Sequence, residues 1–282
     1  MNDKYVRLDN RDRDEVMSFL SGHPGLNLIM LNNIQMFGMY QGKSPFHGDY
    51  FGRRDESGLV AVGAFFNLGS IFLYSVSDEA VEGMSDYVLG LGRVPSFINS
   101  KASRVRKLLE GFRGKLGVTF NTILTEQMVF KGPVPEGIDM ECARPSRESD
   151  LDSLVRMQTR LEEELFGRVS MDAHSLRELI SYQVRSGTAS VAEHEGKIMS
   201  KAEATVMERT GANVGGVYTE PAYRGRGFAT ACVGDLCRRL LEQVDLIALS
   251  VEGENPASLR LYEKIGFKKI DDWMIATPRP RT

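Results

Sequence analysis

Val214-Gly-Gly-Val-Tyr-Thr-Glu-Pro-Ala-Tyr-Arg-Gly-Arg-Gly-Phe-Ala-Thr230 reads as a strand that runs into a glycine-rich turn and then directly into an amphipathic helix. That geometry makes an anion site. At a helix N-terminus about four backbone N–H groups lack intrahelical partners, and the macrodipole adds roughly half a positive charge. A phosphate accepts those bonds. Gly225 and Gly227 carry no Cβ to hold a phosphate off the backbone, while Arg224 and Arg226 place charges on the rim. A Walker loop would need Gly-Lys-Ser/Thr, which is absent, and a dinucleotide fingerprint would need a small residue where Thr230 stands.

Outward from this stretch the chain repeats an order of elements. Helical spacing runs from Asn10 to Leu20 and from Leu26 to Met39, with His23-Pro24-Gly25 as the turn between them. Short β-like runs follow at Asp49 to Gly52, Leu59 to Phe66 and Ile71 to Val76, an antiparallel meander. A helix over Asp78 to Leu91, a strand at Phe97 to Asn99, a helix bearing Val105, Leu108, Leu109 and Phe112, and a strand at Thr122 to Val129 complete the first set. Lys131-Gly-Pro-Val-Pro-Glu-Gly137 interrupts regular structure, so the domain boundary falls at about Ile138, giving domains 1–138 and 139–282.

The same order then begins again. Ser146 to Glu164 and Ser175 to Arg185 read as helices, and Ala189 to His194, Ser200 to Met207 and Val214 to Thr219 as strands. A helix over Gly227 to Gln243, a strand at Leu246 to Val251, a helix over Asn255 to Ile265 and a final pair of strands around Phe267 to Thr277 follow. Ser100 to Phe112 can be laid on Asn255 to Phe267, which matches Ala102 with Ala257, Ser103 with Ser258, Gly111 with Gly266 and Phe112 with Phe267. The order of elements carries the repeat better than this register does.

Composition bounds the function. With 282 residues, 42% hydrophobic and 26% charged, the chain is globular and long enough for two domains. Up to Met140 there are 15 basic against 16 acidic side chains, and after it 20 against 22, so neither half has the charge excess that drives general nucleic-acid binding. The opening MNDKYVRLDNRDRDEVMSFL is charged from its third residue and reads as no signal peptide, and no apolar run approaches the ~20 residues of a membrane helix. Cys142, Cys232 and Cys237 form no C-x-x-C pair and stand near no histidine at zinc-ligand spacing, so free thiols, a cytoplasmic location and no metal are expected.

The segment Arg224-Gly-Arg-Gly227-Phe-Ala229 resembles the acetyl-CoA signature of the GNAT superfamily of N-acetyltransferases, Arg or Gln, two residues, Gly, one residue, Gly or Ala. The preceding Val-Tyr-Thr-x-Pro and the later Asn255-Pro-Ala-Ser258, Tyr262 and Gly266-Phe267 match that superfamily as well, so the resemblance covers about Arg144 to Thr277. It implies an α+β fold of tandem GNAT-like domains, each a twisted, mostly antiparallel sheet flanked by helices. The first half, with no Arg-Gly-Arg-Gly counterpart between Ile71 and Met84, is expected to be a degenerate copy that holds no coenzyme.

The implied activity is transfer of an acetyl group from acetyl-CoA, as co-substrate, to a primary amine by direct attack in a ternary complex. A non-catalytic acyl-CoA sensor or scaffold and a nucleotide-binding regulator are the competing readings. The resemblance implies that backbone groups of Val217, Tyr218 and Thr219 pair with pantetheine as an added strand does, and that the N–H groups of Arg224, Gly225, Arg226, Gly227, Phe228, Ala229 and Thr230 hold the pyrophosphate. It also implies that Asn255 lies near the pantetheine arm and that Tyr262 is the general acid for the departing thiolate.

Spacing alone puts Asn255, Ser258 and Tyr262 on one polar stripe, bordered by an apolar stripe of Ala257, Leu261 and Ile265. Asn255 with Pro256 behind it is also good N-cap chemistry. Candidates for the general base are Glu203, on a strand next in order to the pantetheine strand, and Glu220, in the loop before the arginines. Some members of the superfamily place a carboxylate early on the motif-bearing strand, where this chain has Asn213 and Val214. His174 and His194 read as surface or satisfied histidines. Glu162-Glu163-Glu164 and the basic helix of Lys101, Arg104, Arg106 and Lys107 read as solvated faces, the former alternatively as the entrance for a cationic acceptor. The acceptor is left open among lysine side chains, protein N-termini, polyamines, amino acids and antibiotics, and so is the oligomeric state.

Overall fold

The computed structural model describes residues 4–167, 169 and 171–279. In chain order the elements are β1 (Val6–Leu8), α1 (Arg13–Ser21), α2 (Pro24–Phe37), β2 (Gly48–Asp55), β3 (Gly58–Phe66), β4 (Ser70–Ser75), α3 (Met84–Gly90), β5 (Phe97–Lys101), α4 (Ala102–Phe112) and β6 (Phe120–Phe130). The second series is β7 (Ala143–Pro145), α5 (Leu151–Phe166), α6 (Ala173–Arg185), β8 (Ala189–His194), β9 (Lys197–Glu208), β10 (Gly211–Thr219), α7 (Phe228–Leu240), β11 (Ile247–Glu252), α8 (Pro256–Ile265) and β12 (Lys268–Pro278). The expected repetition of element order is present. The chain divides into two compact units, one of residues 1–127, 250–253 and 270–282 and one of residues 128–249 and 254–269.

In the first unit the strands run in the order β1-β2-β3-β4-β5-β12. β2, β3 and β4 form the antiparallel meander, while β5 joins β4 in parallel at Ser70–Phe97, Ile71–Ile98 and Phe72–Asn99. The all-apolar run of β3 has a physical reason: both faces of this sheet are covered. Ala61 and Phe65 pack with Met84, Val88, Val105, Leu108 and Phe112 from α3 and α4. Their neighbours Val62, Ala64 and Phe66 pack with Val16, Leu20, Leu31 and Ile34 from α1 and α2.

Four elements depart from the sequence reading. The helix expected over Asp78 to Leu91 is divided by Gly83, left-handed at φ +81°, into a 3-10 turn at Glu79–Val81 and α3. The final pair of strands is one strand, β12. Its Asp271 carboxylate is taken up by Lys101 at 2.9 Å, and Trp273 to Ala276 pair with β5. The short β1 and β7 carry too few residues to show a period and were not anticipated.

In the second unit the strand order is β11-β10-β9-β8-β7. β7 to β10 are antiparallel, and β10 meets β11 in parallel. α7 covers one face with Ala231, Cys232, Val233, Leu236, Cys237 and Leu240 buried, and Leu154 of α5 clusters with Leu176, Ile180 and Val184 of α6 and with Val191 of β8. All three cysteines are free thiols. No helix among the described residues is long and apolar enough to cross a membrane.

A polar clasp fixes α7. Asp235, 3% exposed, accepts from Ser190 Oγ at 2.6 Å and from Arg239 Nε at 3.1 Å, and the Arg239 guanidinium also donates to the Ala189 carbonyl. Burial opposes the charged carboxylate, but the hydrogen bond from Ser190 and the Arg239 charge outweigh it and hold the pKa below the ordinary aspartate value. A depressed folded-state pKa contributes stability above the unfolded value of about 3.9, and that contribution is lost as pH falls through the folded value. Asp235→Asn is expected to cost about 1–3 kcal/mol at pH 7. Denaturant titrations across pH should show the gap from wild type constant above about pH 5 and closing at lower pH.

Candidate active site

The site is built on an interruption in β10. Its pairing with β9 runs Val214–Ala204 and Gly215–Glu203, then resumes at Tyr218–Lys201, so β10 carries one residue more than its partner across this interval. This is a β-bulge, which re-aims the backbone. Gly216 sits in it at φ +57°, and a Cβ there would lie 2.3 Å from Oε1 of Glu203. Conformation and space both demand glycine. On the other side of β10 the parallel pairing with β11 covers Ala212–Ile247 and Asn213–Ala248 only. From Val214 onward the two strands part.

Glu203 is 5% exposed and its Oε2 accepts from Lys201 Nζ at 2.7 Å. Lys201 is itself 1% exposed and donates also to Gln158 Oε1 at 2.7 Å, while Gln158 Nε2 donates to Glu162 Oε1 at 2.9 Å. A buried ionic network thus ties α5 to β9 beneath the bulge. Glu162 is buried within it and is no solvated residue as its sequence neighbours suggest. Sequence reasoning passed over Lys201 and Gln158, because nothing local in the sequence marks a pairing across 43 positions.

The glycine turn lies in the open. Residues 224–227 are exposed, Gly225 has φ +75°, and Gly227 caps α7 at φ +88° with no side chain bonded to the helix's first amides. A Cβ added to either glycine would meet nothing within 4 Å. Their backbone conformation therefore requires glycine, and the space in front of the turn is unfilled by protein. Uncapped amides at the start of a 13-residue helix with open space before them fit an anionic phosphate.

The two rim arginines differ. Arg224 donates to the Thr219 carbonyl at 3.1 Å and pairs with Glu164 at 2.8 Å, over the ring of Tyr218, whose hydroxyl also reaches Glu164 at 3.2 Å. Arg226 lies over Tyr223 and Phe228, which together with His194 make an aromatic cluster. Glu220 pairs with Arg160 at 2.6 Å.

On α8, Asn255 is the N-cap, with Oδ1 accepting from the Ser258 amide at 3.1 Å and Pro256 at the first helical position. The faces of α8 fall differently from the expected stripes. Tyr262 belongs to the buried face with Ile265, whereas Ala257 is exposed, because only the later turns of α8 are packed. Tyr262 is 8% exposed with its ring edge-on to Phe267, and among the described residues its hydroxyl has no hydrogen-bond partner. Burial raises its pKa well above the ordinary tyrosine value, with the Cys237 sulfur adding to the shift. Among the described residues no group of three or more His, Cys, Asp or Glu side chains could hold a metal.

Residues 151–267 match the model of the Acetyltransferase (GNAT) family. This segment is a GNAT-family domain. The fold extends the likeness to the whole chain. A GCN5-related N-acetyltransferase from Sphaerobacter thermophilus superposes with a TM-score of 0.65 at 15% identity over 99% of this chain and 97% of its own. A Drosophila protein does so with a TM-score of 0.70 at 12% identity over 99% of both chains. A tandem GNAT protein from the clavulanic acid biosynthesis pathway does so with a TM-score of 0.55 at 11% identity over 99% of both. No curated protein matches the sequence. The family of this segment implies acyl-CoA-dependent acyl transfer.

The buried pair generates a stability prediction. Lys201→Met strands the Glu203 carboxylate and is expected to cost about 3–5 kcal/mol in equilibrium unfolding, while Lys201→Met combined with Glu203→Leu recovers most of it. Equal losses in the single and double variants would show that the pairing is not what matters.

Proposed function

We propose that the second unit transfers an acetyl group from acetyl-CoA to a primary amine by direct attack, without an acyl-enzyme. The observation that carries this reading is the conjunction of an open glycine turn at the start of α7 with a strand that parts from its parallel neighbour just upstream. Amides of Arg224 to Thr230 would receive the pyrophosphate, and backbone groups of Val217 to Thr219 would pair with pantetheine amides. Asn255 and Ser258, at the start of α8, would border the pantetheine arm. Acetyl-CoA, when bound, supplies an acyl group activated as a thioester.

The chain's own residues then move protons. Tyr262 gives its phenolic proton to the departing thiolate, and its hydroxyl, without an acceptor among the described residues, is available to do so. From ordinary values, a phenol near ~10 donating to a thiolate near ~8.5 is uphill by only ~2 kcal/mol; burial of Tyr262 adds to that and makes transfer concerted with carbon–sulfur cleavage the economical route. The acceptor must lose a proton first, at ~4.6 kcal/mol for a lysine-like ammonium at pH 7. Glu203, held against Gly216 and oriented by Lys201, is the proton acceptor in this reading. The cytoplasm is the compartment that supplies acetyl-CoA and keeps three free thiols reduced.

Coenzyme release from labelled acetyl-CoA, measured over a panel of amines with a water blank, tests the reading. Selective turnover is expected, and release no faster with any amine than with water would leave a binding protein in place of an enzyme. Tyr262→Phe is expected to lower kcat by about a hundredfold or more, with coenzyme affinity within a few-fold of wild type. Because the Tyr262 pKa is raised, wild-type kcat should show no alkaline limb from this residue up to about pH 10, and rate should rise with pH as the acceptor amine deprotonates.

A further inference from the structure

The first unit holds a buried cation with two nitrogens that have no hydrogen-bond partner. Arg104, read from the sequence as part of a solvated basic face, is 6% exposed, and neither its Nε nor its Nη1 has a hydrogen-bond acceptor. Its guanidinium lies 5.2 Å above the ring of Tyr74 on β4. Asp78 is 3.9 Å from Nε, beyond hydrogen-bond reach, and its Oδ1 is already engaged by Ser103 Oγ at 2.8 Å. Asp271 acts on Arg104 only through its charge and is paired with Lys101 at 2.9 Å. The two buried nitrogens gain little from such long contacts, because an unmade bond to a buried charged donor costs its desolvation.

A second feature lies beside it. Arg104 is the third residue of α4, an 11-residue helix whose N-cap, Lys101, makes no side-chain cap. At the matching place in the second unit, Asn255 caps α8 by accepting from an amide. Side chains of a helix's first turn lean toward its N-terminus, so the Arg104 donors and the uncapped amides of α4 serve the same end of the helix. A guanidinium presents two forks that match an oxyanion, Nε with Nη2 and Nη1 with Nη2. With Nε and Nη1 both unpartnered, each fork has a donor to offer.

We infer that the N-terminus of α4, with Arg104 as its anchor and Tyr74 as its floor, is a binding site for an oxyanion, the carboxylate or phosphoryl group of a small molecule. This site is independent of the glycine turn of the second unit.

Calorimetric titration of the full chain with inorganic phosphate and, separately, with acetate tests it, at fixed ionic strength and with coenzyme A in excess so that the glycine turn is not a competing site. Saturable binding of at least one of the two anions is expected, at least tenfold weaker in Arg104→Met and several-fold weaker in Arg104→Lys, which keeps the charge but loses the fork. The anion bound more tightly tells a phosphoryl ligand from a carboxylate. If Arg104→Met does not fold, Arg104→Lys carries the comparison. Absence of saturable binding of either anion to the wild type overturns the inference, as does binding that the folded Arg104 variants leave unchanged.

Discussion

Where β10 leaves β11 after Asn213 and Ala248, the backbone groups along the freed edge of β10 lose the partners a parallel ladder supplies. An unpaired strand edge is a template for another extended chain, and each N–H and C=O on it must find water, a ligand or another segment. The rest of the second unit is arranged around that parting. The bulge at Gly215 to Tyr218 turns the edge, and the buried Lys201–Glu203 pair lies directly beneath Gly216. The strand then delivers the chain into a turn whose two left-handed glycines open the amides of α7 to solvent. A ligand with amides in its middle and a pyrophosphate at its end meets both requirements at once.

The two units share an order of elements and a parallel strand pair, yet they put different chemistry around it. After β10 come two glycines and two arginines; after β4 come Asp78, Glu79 and Glu82. At the following parallel strand the contrast runs the other way. α8 has the Ser258 amide served by Asn255, whereas α4 begins without such a cap and carries Arg104, whose Nε and Nη1 have no hydrogen-bond partner. One architecture thus leaves the N-terminus of α7 in one unit and of α4 in the other without a side-chain cap.

Much of this was readable from residue order because it depends on local chemistry. Glycines that must be left-handed, an Asn-Pro helix start and an unbroken apolar run for a strand covered on both faces all announce themselves over a few residues. What escaped depends on tertiary placement. A charge run looks solvated whichever way its side chains finally point, so Glu162 and Arg104 gave no sign of being buried. Lys201 finds Gln158 from 43 positions away, a pairing that no periodicity encodes. Tyr262 shared a wheel stripe with Asn255 and Ser258, but the depth of packing along α8 decides which residues of a stripe are covered, and that lies beyond the helix itself.

The central claim is that the turn after β10 holds a pyrophosphate while the freed edge holds the arm attached to it. A crystal structure of the full chain with coenzyme A addresses this most directly. The account predicts the pyrophosphate on the amides between Arg224 and Thr230, with the pantetheine extended beside Val217 to Thr219 and its sulfur toward Tyr262. Coenzyme seated elsewhere on the chain, or a turn that stays empty at millimolar coenzyme, would contradict it.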